Sequence, residues 1–156
     1  MKTRYILIPV MLLLSALVVY VLYPTDENRI RKIISNCGQA IISEDIDGLM
    51  GSISYNYLDD YGNSYLWLKT AFQRVFEQLS DIKIEKNIIA ISVNDDFAEV
   101  ELSARVLASR GEEKGYIIGD PATTGKIKVS FEKTANKWLI TKTEGVFDKN
   151  PPAGYW

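Results

Sequence analysis

The sequence predicts an α+β domain in which three helices pack on one face of a strongly curved antiparallel sheet of four to six strands. Two observations predict this class. Apolar residues recur at helical spacing in three segments before Ser80, and they alternate at strand spacing in the segments after it. A third observation, an uncharged N-terminal run, predicts a transmembrane helix ahead of the domain. The predicted boundaries are residues 1–24 for the anchor, 25–147 for the domain and 148–156 for an irregular tail.

The first 24 residues have the pattern of an uncleaved membrane anchor. Lys2 and Arg4 precede nineteen residues, 5–23, that carry no charge. A helix of this length spans about 28 Å, close to the hydrocarbon thickness of a bilayer. The run exceeds the apolar core of a signal peptide, and no Ala-x-Ala cleavage site follows it. We expect residues 5–23 to cross the cytoplasmic membrane once, leaving the basic flank in the cytoplasm and the domain on the outer, periplasmic side.

The composition excludes several classes of function. The chain has 18 basic residues, 20 acidic residues, one cysteine and no histidine. Without histidine, Ser-His-Asp catalysis, Cys-His catalysis and most zinc sites are excluded, and we predict neither a metal nor a cofactor. The domain contains no basic run, so nucleic acid is not an expected partner. Cys37 falls within an apolar stripe, which predicts a buried, unreactive thiol.

The three predicted helices each have an apolar stripe. Thr25 is the expected N-cap of the first helix, and Asp26 and Glu27 in its first turn suit the helix dipole. Asp45 is the expected cap of a short second helix, and Asn63 or Ser64 precedes the third. The three stripes contain Ile30, Ile33, Ile34, Cys37 and Ile41; Ile46, Leu49, Met50 and Ile53; and Leu68, Phe72, Val75, Phe76 and Leu79.

The predicted strands begin after Ser80 with a change of phase. Ile82 and Ile84 alternate in one phase, and Ile89, Ile91 and Val93 alternate in the opposite one, which is the mark of a β-bulge. Tight connections are expected at residues 94–96 and 134–137, and Trp138 at the start of the last strand is expected in the core. Because bulges bend strands, the sheet should curve around the first helix and form a cone with an open mouth.

Several segments resemble the nuclear transport factor 2-like superfamily, which includes the SnoaL-like cyclases and the ketosteroid isomerases. The resembling segments are the first helix, EDIDGL, SYNYLDDYGNSY, NDDFAEVEL and KIKVSFEKTANKWLIT, and their order carries the resemblance over residues 26–147. The resemblance implies a conical fold with a pocket between the sheet and the helices. It implies no single activity, because this fold serves isomerases, cyclases, dehydratases and non-catalytic binding domains.

The resemblance also suggests where catalytic residues would lie. In the isomerases an aspartate after the second helix is the general base, and Asp59 or Asp60 falls near that position. The tyrosine that stabilises the oxyanion corresponds by spacing to Cys37, which is a poor donor. The second acid has no counterpart, because the strand at residues 98–106 offers only Glu99 and Glu101 on the face opposite the core. The resemblance therefore implies an incomplete catalytic set.

The candidate site is the connection between the second and third helices, at the expected mouth of the cone. As functional residues, its aromatic side chains would line a mostly apolar ligand pocket with a few hydroxyl groups; otherwise they cap the core. Asp59 and Asp60 are expected to be solvated turn residues rather than a catalytic pair, because neighbouring residues in a turn point in different directions. The predicted ligand-pocket residues are Tyr55, Tyr57, Tyr61, Tyr65 and Trp67.

Two functions follow from these patterns. The favoured one is a membrane-anchored, exported, non-enzymatic domain that binds a small apolar ligand or an envelope protein, for example as a scaffold; a homodimer through the sheet face is also considered. The alternative is a SnoaL-like enzyme that transfers a proton on a polyketide- or steroid-like substrate, with Asp59 or Asp60 as base. An enzyme requires a carboxylate that faces a closed cavity, whereas a scaffold requires an exposed apolar surface.

Overall fold

A computed structural model of the chain describes Met11 and residues 25–146, and these residues have the predicted α+β order. The predicted tail lies outside the described residues, as does the predicted anchor apart from Met11. No described helix combines the length and the apolar character that crossing a membrane requires. The helices are α1, Asp26–Ile42; α2, Ile46–Met50; and α3, Tyr65–Gln78. The strands are β1, Ser80–Asn94; β2, Phe97–Arg110; β3, Glu113–Ile118; β4, Gly125–Thr134; and β5, Lys137–Glu144.

The helix starts follow local capping chemistry. The Thr25 side chain accepts a hydrogen bond from the backbone N–H of Asn28 at 3.3 Å, which satisfies a donor at the start of α1. The Asp45 carboxylate accepts the N–H of Gly48 at 2.9 Å in the same way and caps α2. Both predicted caps are confirmed. Ser64 precedes α3, but its side chain makes no capping hydrogen bond.

The five strands form one antiparallel sheet in the order β1-β2-β4-β5, and β3 pairs with the C-terminal part of β2. The register of β1 against β2 shifts between Ile88 and Ala90, so Ile89 is an extra residue. This confirms the predicted bulge. Both predicted tight turns are also present, because only two residues separate β1 from β2 and only two separate β4 from β5.

The core lies between the sheet and the helices. The inward face of β2 carries Ala98, Val100, Leu102 and Ala104, all buried, as the alternation predicted. Cys37 is buried as expected, and burial raises the pKa of its thiol. The larger side chains of the core are Ile30, Ile34, Leu49, Met50, Ile53, Tyr57, Leu68, Val129, Phe131, Trp138 and Ile140.

The outward face of the sheet is charged. Arg105 and Glu85 face each other across β1 and β2, with 3.0 Å between their charged atoms. Lys128 on β4 contacts Glu99 on β2 at 2.9 Å. Exposed pairs of this kind add little stability, but they make the face polar.

A polar cluster joins the first turn of α1 to the sheet. The Asp26 carboxylate accepts a hydrogen bond from the indole N–H of Trp138 at 3.0 Å and one from the Lys133 ammonium at 2.9 Å. The Lys133 ammonium also lies 5.5 Å from the centre of the Trp138 ring. These bonds, with Lys133 first and Trp138 second, hold the pKa of Asp26 below its usual value. The cluster fixes where the chain enters the domain.

Candidate functional site

The connection between α2 and α3 runs along the open edge of β5. The backbone N–H groups of Ser54 and Leu58 donate to the carbonyls of Ile140 at 2.8 Å and Thr141 at 3.0 Å, and the N–H of Ile140 donates to Ser52 at 2.9 Å. The segment therefore covers the sheet edge as an irregular strand. As in a strand, successive side chains alternate, with Tyr57 and Asp59 buried and their neighbours exposed.

Asp59 is the only buried carboxylate among the described residues, and it is 6% exposed. One of its carboxylate oxygens accepts the backbone N–H groups of Tyr61 at 2.9 Å and Asn63 at 2.8 Å. The other accepts the Asn63 side-chain amide at 2.8 Å. Asp59 therefore closes the turn that leads into α3. The expectation of a turn residue fits this geometry, but the expectation of a solvated one is wrong, because the pairing with β5 turns Asp59 inward.

Asp60 lies on the opposite side of the segment and forms an exposed ion pair. Its carboxylate is 2.6 Å from the Lys142 ammonium, which also contacts Glu144 at 2.9 Å. The two carboxylates, chiefly that of Asp60, raise the pKa of Lys142. Asp59 and Asp60 thus contact different partners and do not form a carboxylate pair.

The predicted pocket tyrosines do not share one environment. Tyr57 is fully buried in the core, and its hydroxyl is hydrogen-bonded to the Thr143 hydroxyl. Burial raises the pKa of the Tyr57 phenol. Tyr65 is half-buried, and its ring centre lies 4.7 Å from that of exposed Tyr55. Of the predicted residues, the structure brings Tyr55, Tyr65, Tyr61 and Trp67 to the region around the start of α3, and it places Tyr57 inside.

Two leucines that sequence analysis did not single out are exposed beside these rings. Leu66 is 71% exposed and Tyr55 is 84% exposed, and Leu58 lies between Tyr57 and Asp59 with its side chain in solvent. Leu66 does not belong to the apolar stripe of α3, so the helical spacing in the sequence already indicated that it would be exposed. Five large apolar or aromatic residues between positions 55 and 67 are exposed, and we call them the aromatic surface: Tyr55, Leu58, Tyr61, Leu66 and Trp67.

A shallow cavity of about 430 Å³ opens on the charged side of the sheet. Glu101, Lys128 and Glu144 lie side by side in register there, and Ile89 and Lys126 complete much of its wall. None of the predicted site residues lines this cavity. Its open shape and its mixed charges do not match an apolar ligand site.

The chemistry available at the candidate site is limited. Within residues 25–146, no group of three acidic or cysteine side chains lies close enough together to hold a metal ion. The carboxylate of Asp59 has donors on both oxygens, and the Tyr57 hydroxyl is engaged by Thr143. Both side chains are therefore held by partners within the domain.

Comparison with known proteins identifies the fold. No protein-family model and no curated protein sequence matches the chain. Among solved structures, a ketosteroid isomerase-like protein from Erwinia carotovora atroseptica is 12% identical and has a TM-score of 0.61, with 76% of this chain and 94% of that chain covered. The protein Rd1NTF2_05 is 17% identical with a TM-score of 0.56, and the match covers 76% of this chain and 98% of that chain.

A third similar structure is larger. Bd1075 from Bdellovibrio bacteriovorus is 15% identical with a TM-score of 0.61, and the match covers 74% of this chain but only 39% of that protein. At these identities the likeness concerns the fold. The described domain therefore has the nuclear transport factor 2-like fold, as the sequence resemblance implied.

Proposed function

We propose that this chain is a membrane-anchored domain that binds a partner protein through its aromatic surface and catalyses no reaction. The observation that carries this proposal is the exposure of Tyr55, Leu58 and Leu66 within one thirteen-residue segment. Single exposed apolar residues are ordinary, whereas several within one short segment of a folded domain favour an interaction surface. The Tyr55 ring also packs on that of Tyr65, the residue before Leu66. Aromatic side chains are also enriched at the centres of protein interfaces.

The exposure favours a protein partner over a small apolar ligand. Sites for small molecules are concave and enclose most of the ligand surface. Tyr55 and Leu66, at 84% and 71% exposed, project from the domain and do not line an enclosed cavity. A flat or concave partner surface can cover such side chains, whereas a small molecule would leave most of its own surface in water.

The backbone beneath the aromatic surface is held in place before any partner binds. The hydrogen bonds of Asp59 fix the turn at residues 59–63, and the bonds of Ser54 and Leu58 to β5 fix the preceding segment. Binding through a surface that is already ordered costs less conformational entropy. Asp59 is accordingly a positioning residue in this proposal.

The alternative, proton transfer on a polyketide- or steroid-like substrate, has weaker support. It needs a carboxylate that faces a cavity with a donor opposite. Both oxygens of Asp59 are hydrogen-bonded within the turn, and Asp60 pairs with Lys142 in solvent. The name ketosteroid isomerase-like belongs to a protein 12% identical to this one, and the fold alone does not transfer an activity.

The membrane location in this proposal rests on the sequence of residues 5–23. That run is long enough to cross a bilayer, and the basic flank before it favours a cytoplasmic N-terminus. The domain would then meet its partner on the outer side of the cytoplasmic membrane. A homodimer through the sheet face receives less support, because that face carries the ion pairs of Glu85 and Glu99.

Site-specific photo-crosslinking in membranes of the native host tests the proposal. Benzoylphenylalanine replaces Leu66 in the full-length chain, and a matched probe replaces Ile117, an exposed residue on β3. We expect one discrete adduct with another protein from position 66 and none from position 117. The paired changes Tyr55→Asp and Leu58→Asp should abolish that adduct by placing charges in the interface.

The identified partner is then purified and titrated against the unmodified chain and the Leu66→Asp variant. Loss of affinity of at least about tenfold in the variant supports the proposal, since interface anchors typically carry that much binding energy. Equal adducts at both probe positions would contradict it. If the only adduct joins two copies of this chain, the partner is a second copy and the proposal of a different partner protein is wrong.

A further inference from the structure

We propose that Phe97 enters the lipid interface, so that the end of the sheet with the β1–β2 and β4–β5 turns rests on the membrane. The partner is a lipid surface, and the contact is apolar. This inference rests on the membrane anchor of the proposed function. It concerns a surface separate from the aromatic surface, and it sets the orientation of the domain on the bilayer.

The start of α1 is attached to the β4–β5 end of the sheet. Asp26, the first residue of α1, bonds to Trp138 and Lys133, which pair with each other across β4 and β5 close to the turn at residues 135–136. The chain therefore enters the domain at this end. Two bonding partners of Asp26, one on β4 and one on β5, define the entry point.

The β1–β2 turn lies at the same end. The backbone N–H of Lys133 donates to the carbonyl of Asp96 at 2.7 Å, and this bond joins the two turns. Phe97 follows directly as the first residue of β2, opposite Asn94 on β1 and Glu132 on β4. Phe97 is thus next to the connection between the turns, on the outward face of the sheet.

The predicted membrane anchor, the uncharged run at residues 5–23, is separated from the domain by a very short link. The run ends at Tyr23, and the first residue described in the domain is Thr25. Two peptide steps extend at most about 7 Å, so Thr25 cannot lie far from the membrane surface. Thr25 has ψ 154 and lies outside the helix, so α1 begins at Asp26. Elements fixed to the start of α1 are therefore held at the bilayer.

This end of the sheet carries an exposed apolar side chain, Phe97, among acidic ones. Phe97 is 63% exposed, although it is a large aromatic residue at the start of a central strand. Aromatic residues are favoured in the interfacial region of a bilayer. Asp95 and Asp96 form the turn beside it, and these carboxylates would not be drawn to anionic headgroups. The contact should therefore form on zwitterionic lipid and should not need anionic lipid.

Lipid quenching of a fluorophore at position 97 tests this inference. The full-length chain carries Cys37→Ala, to remove the one native thiol, and Phe97→Cys labelled with bimane. It is reconstituted in phosphatidylcholine vesicles with or without phosphatidylcholine that bears a nitroxide near the headgroup end of the acyl chain. The matched control is Ile117→Cys, labelled in the same way. Ile117 is exposed on β3, which pairs with the far end of β2.

We expect nitroxide lipid to reduce the emission from position 97 about twofold or more and to leave that from position 117 nearly unchanged, as interfacial insertion of one residue implies. Both positions are exposed, so the labels should not disturb folding, and circular dichroism checks this. Vesicle flotation checks the anchor in the same samples. A chain that floats but shows no quenching at position 97 contradicts the inference and leaves the anchor intact.

Three other outcomes also count against the inference. A chain that does not float overturns both the anchor and the inference. Equal quenching at positions 97 and 117 excludes the proposed orientation. Protection of position 97 from aqueous iodide without lipid quenching indicates that a second protein copy covers Phe97 instead of lipid.

Discussion

Asp59 illustrates how one side chain acquires its role from the backbone around it. Its three hydrogen bonds hold residues 59–63 in a turn, and its burial follows from the pairing of the preceding residues with β5. The sequence predicted the turn, because Asp, Gly and Asn are frequent turn residues. It did not predict the burial, because the inward positions are Tyr57 and Asp59 while apolar Leu58 faces solvent. Buried faces are recognised from apolar residues, whereas here an aspartate is buried and the leucine before it is exposed.

The first prediction compares the two neighbouring aspartates. Asp59→Asn should lower the free energy of unfolding by about 1–3 kcal/mol, because a buried carboxylate with three donors is replaced by an amide that cannot accept all three bonds. Asp60→Asn should cost less than about 1 kcal/mol, because its ion pair with Lys142 is exposed. Urea unfolding of both variants measures the difference. Equal losses would contradict the assignment of Asp59 as the inward residue.

At the scale of the elements, periodicity predicted what is regular. The three helices, the bulge at Ile89 and the two tight turns follow from spacing and from cap residues in the sequence. The attachment of α1 to the sheet through Asp26, Lys133 and Trp138 could not be predicted, because Asp26 is more than a hundred positions from both of its partners. The bridges to β5 were also missed, since a few isolated hydrogen bonds leave no periodic pattern.

The second prediction uses the pH dependence of that attachment. The pKa of Asp26 is lowered in the folded state, so its carboxylate stabilises the fold above the unfolded pKa of about 4. This stabilisation is lost as the pH falls through the lower folded-state pKa. Asp26→Asn should therefore destabilise the domain by about 1–3 kcal/mol at pH 7, and by less at pH 3. Urea unfolding at the two pH values gives the comparison, and a pH-independent difference would contradict it.

The third prediction concerns the β4–β5 turn. Ala135 and Asn136 both have left-handed backbone, with φ 47 and φ 64. This conformation strains an alanine, whereas asparagine tolerates it and is common at the first position of such two-residue turns. Ala135→Asn should raise the free energy of unfolding by about 0.5–1 kcal/mol. The control Asn136→Ala should lower it by a similar amount, and thermal unfolding reports both. Opposite signs would show that the turn has another conformation.

At the scale of the whole molecule, the fold separates three surfaces. The helices cover the inward face of the sheet, the outward face carries ion pairs, and the edge at β5 is covered by the segment that bears the aromatic surface. Phe97 is at the end of the sheet where α1 begins. A domain held at the membrane by that end would leave the aromatic surface, along the β5 edge, open to a partner. The positions of these two surfaces are consistent with the proposed contacts, with lipid at one and with a partner protein at the other.

The last prediction separates folding from anchoring. The buried cluster is formed by residues 30–140, so the domain should fold without the apolar run. A chain that begins at Pro24 retains the Thr25 cap and the Asp26 cluster, and its free energy of unfolding should lie in the ordinary range of about 5–15 kcal/mol. The same chain should no longer float with vesicles, because it lacks the nineteen uncharged residues, 5–23, that the sequence predicts to span the bilayer. Flotation and urea unfolding of the shortened chain test the two halves independently. A shortened chain that still floats would assign membrane binding to the domain itself, and one that fails to unfold cooperatively would show that residues 1–23 belong to the fold.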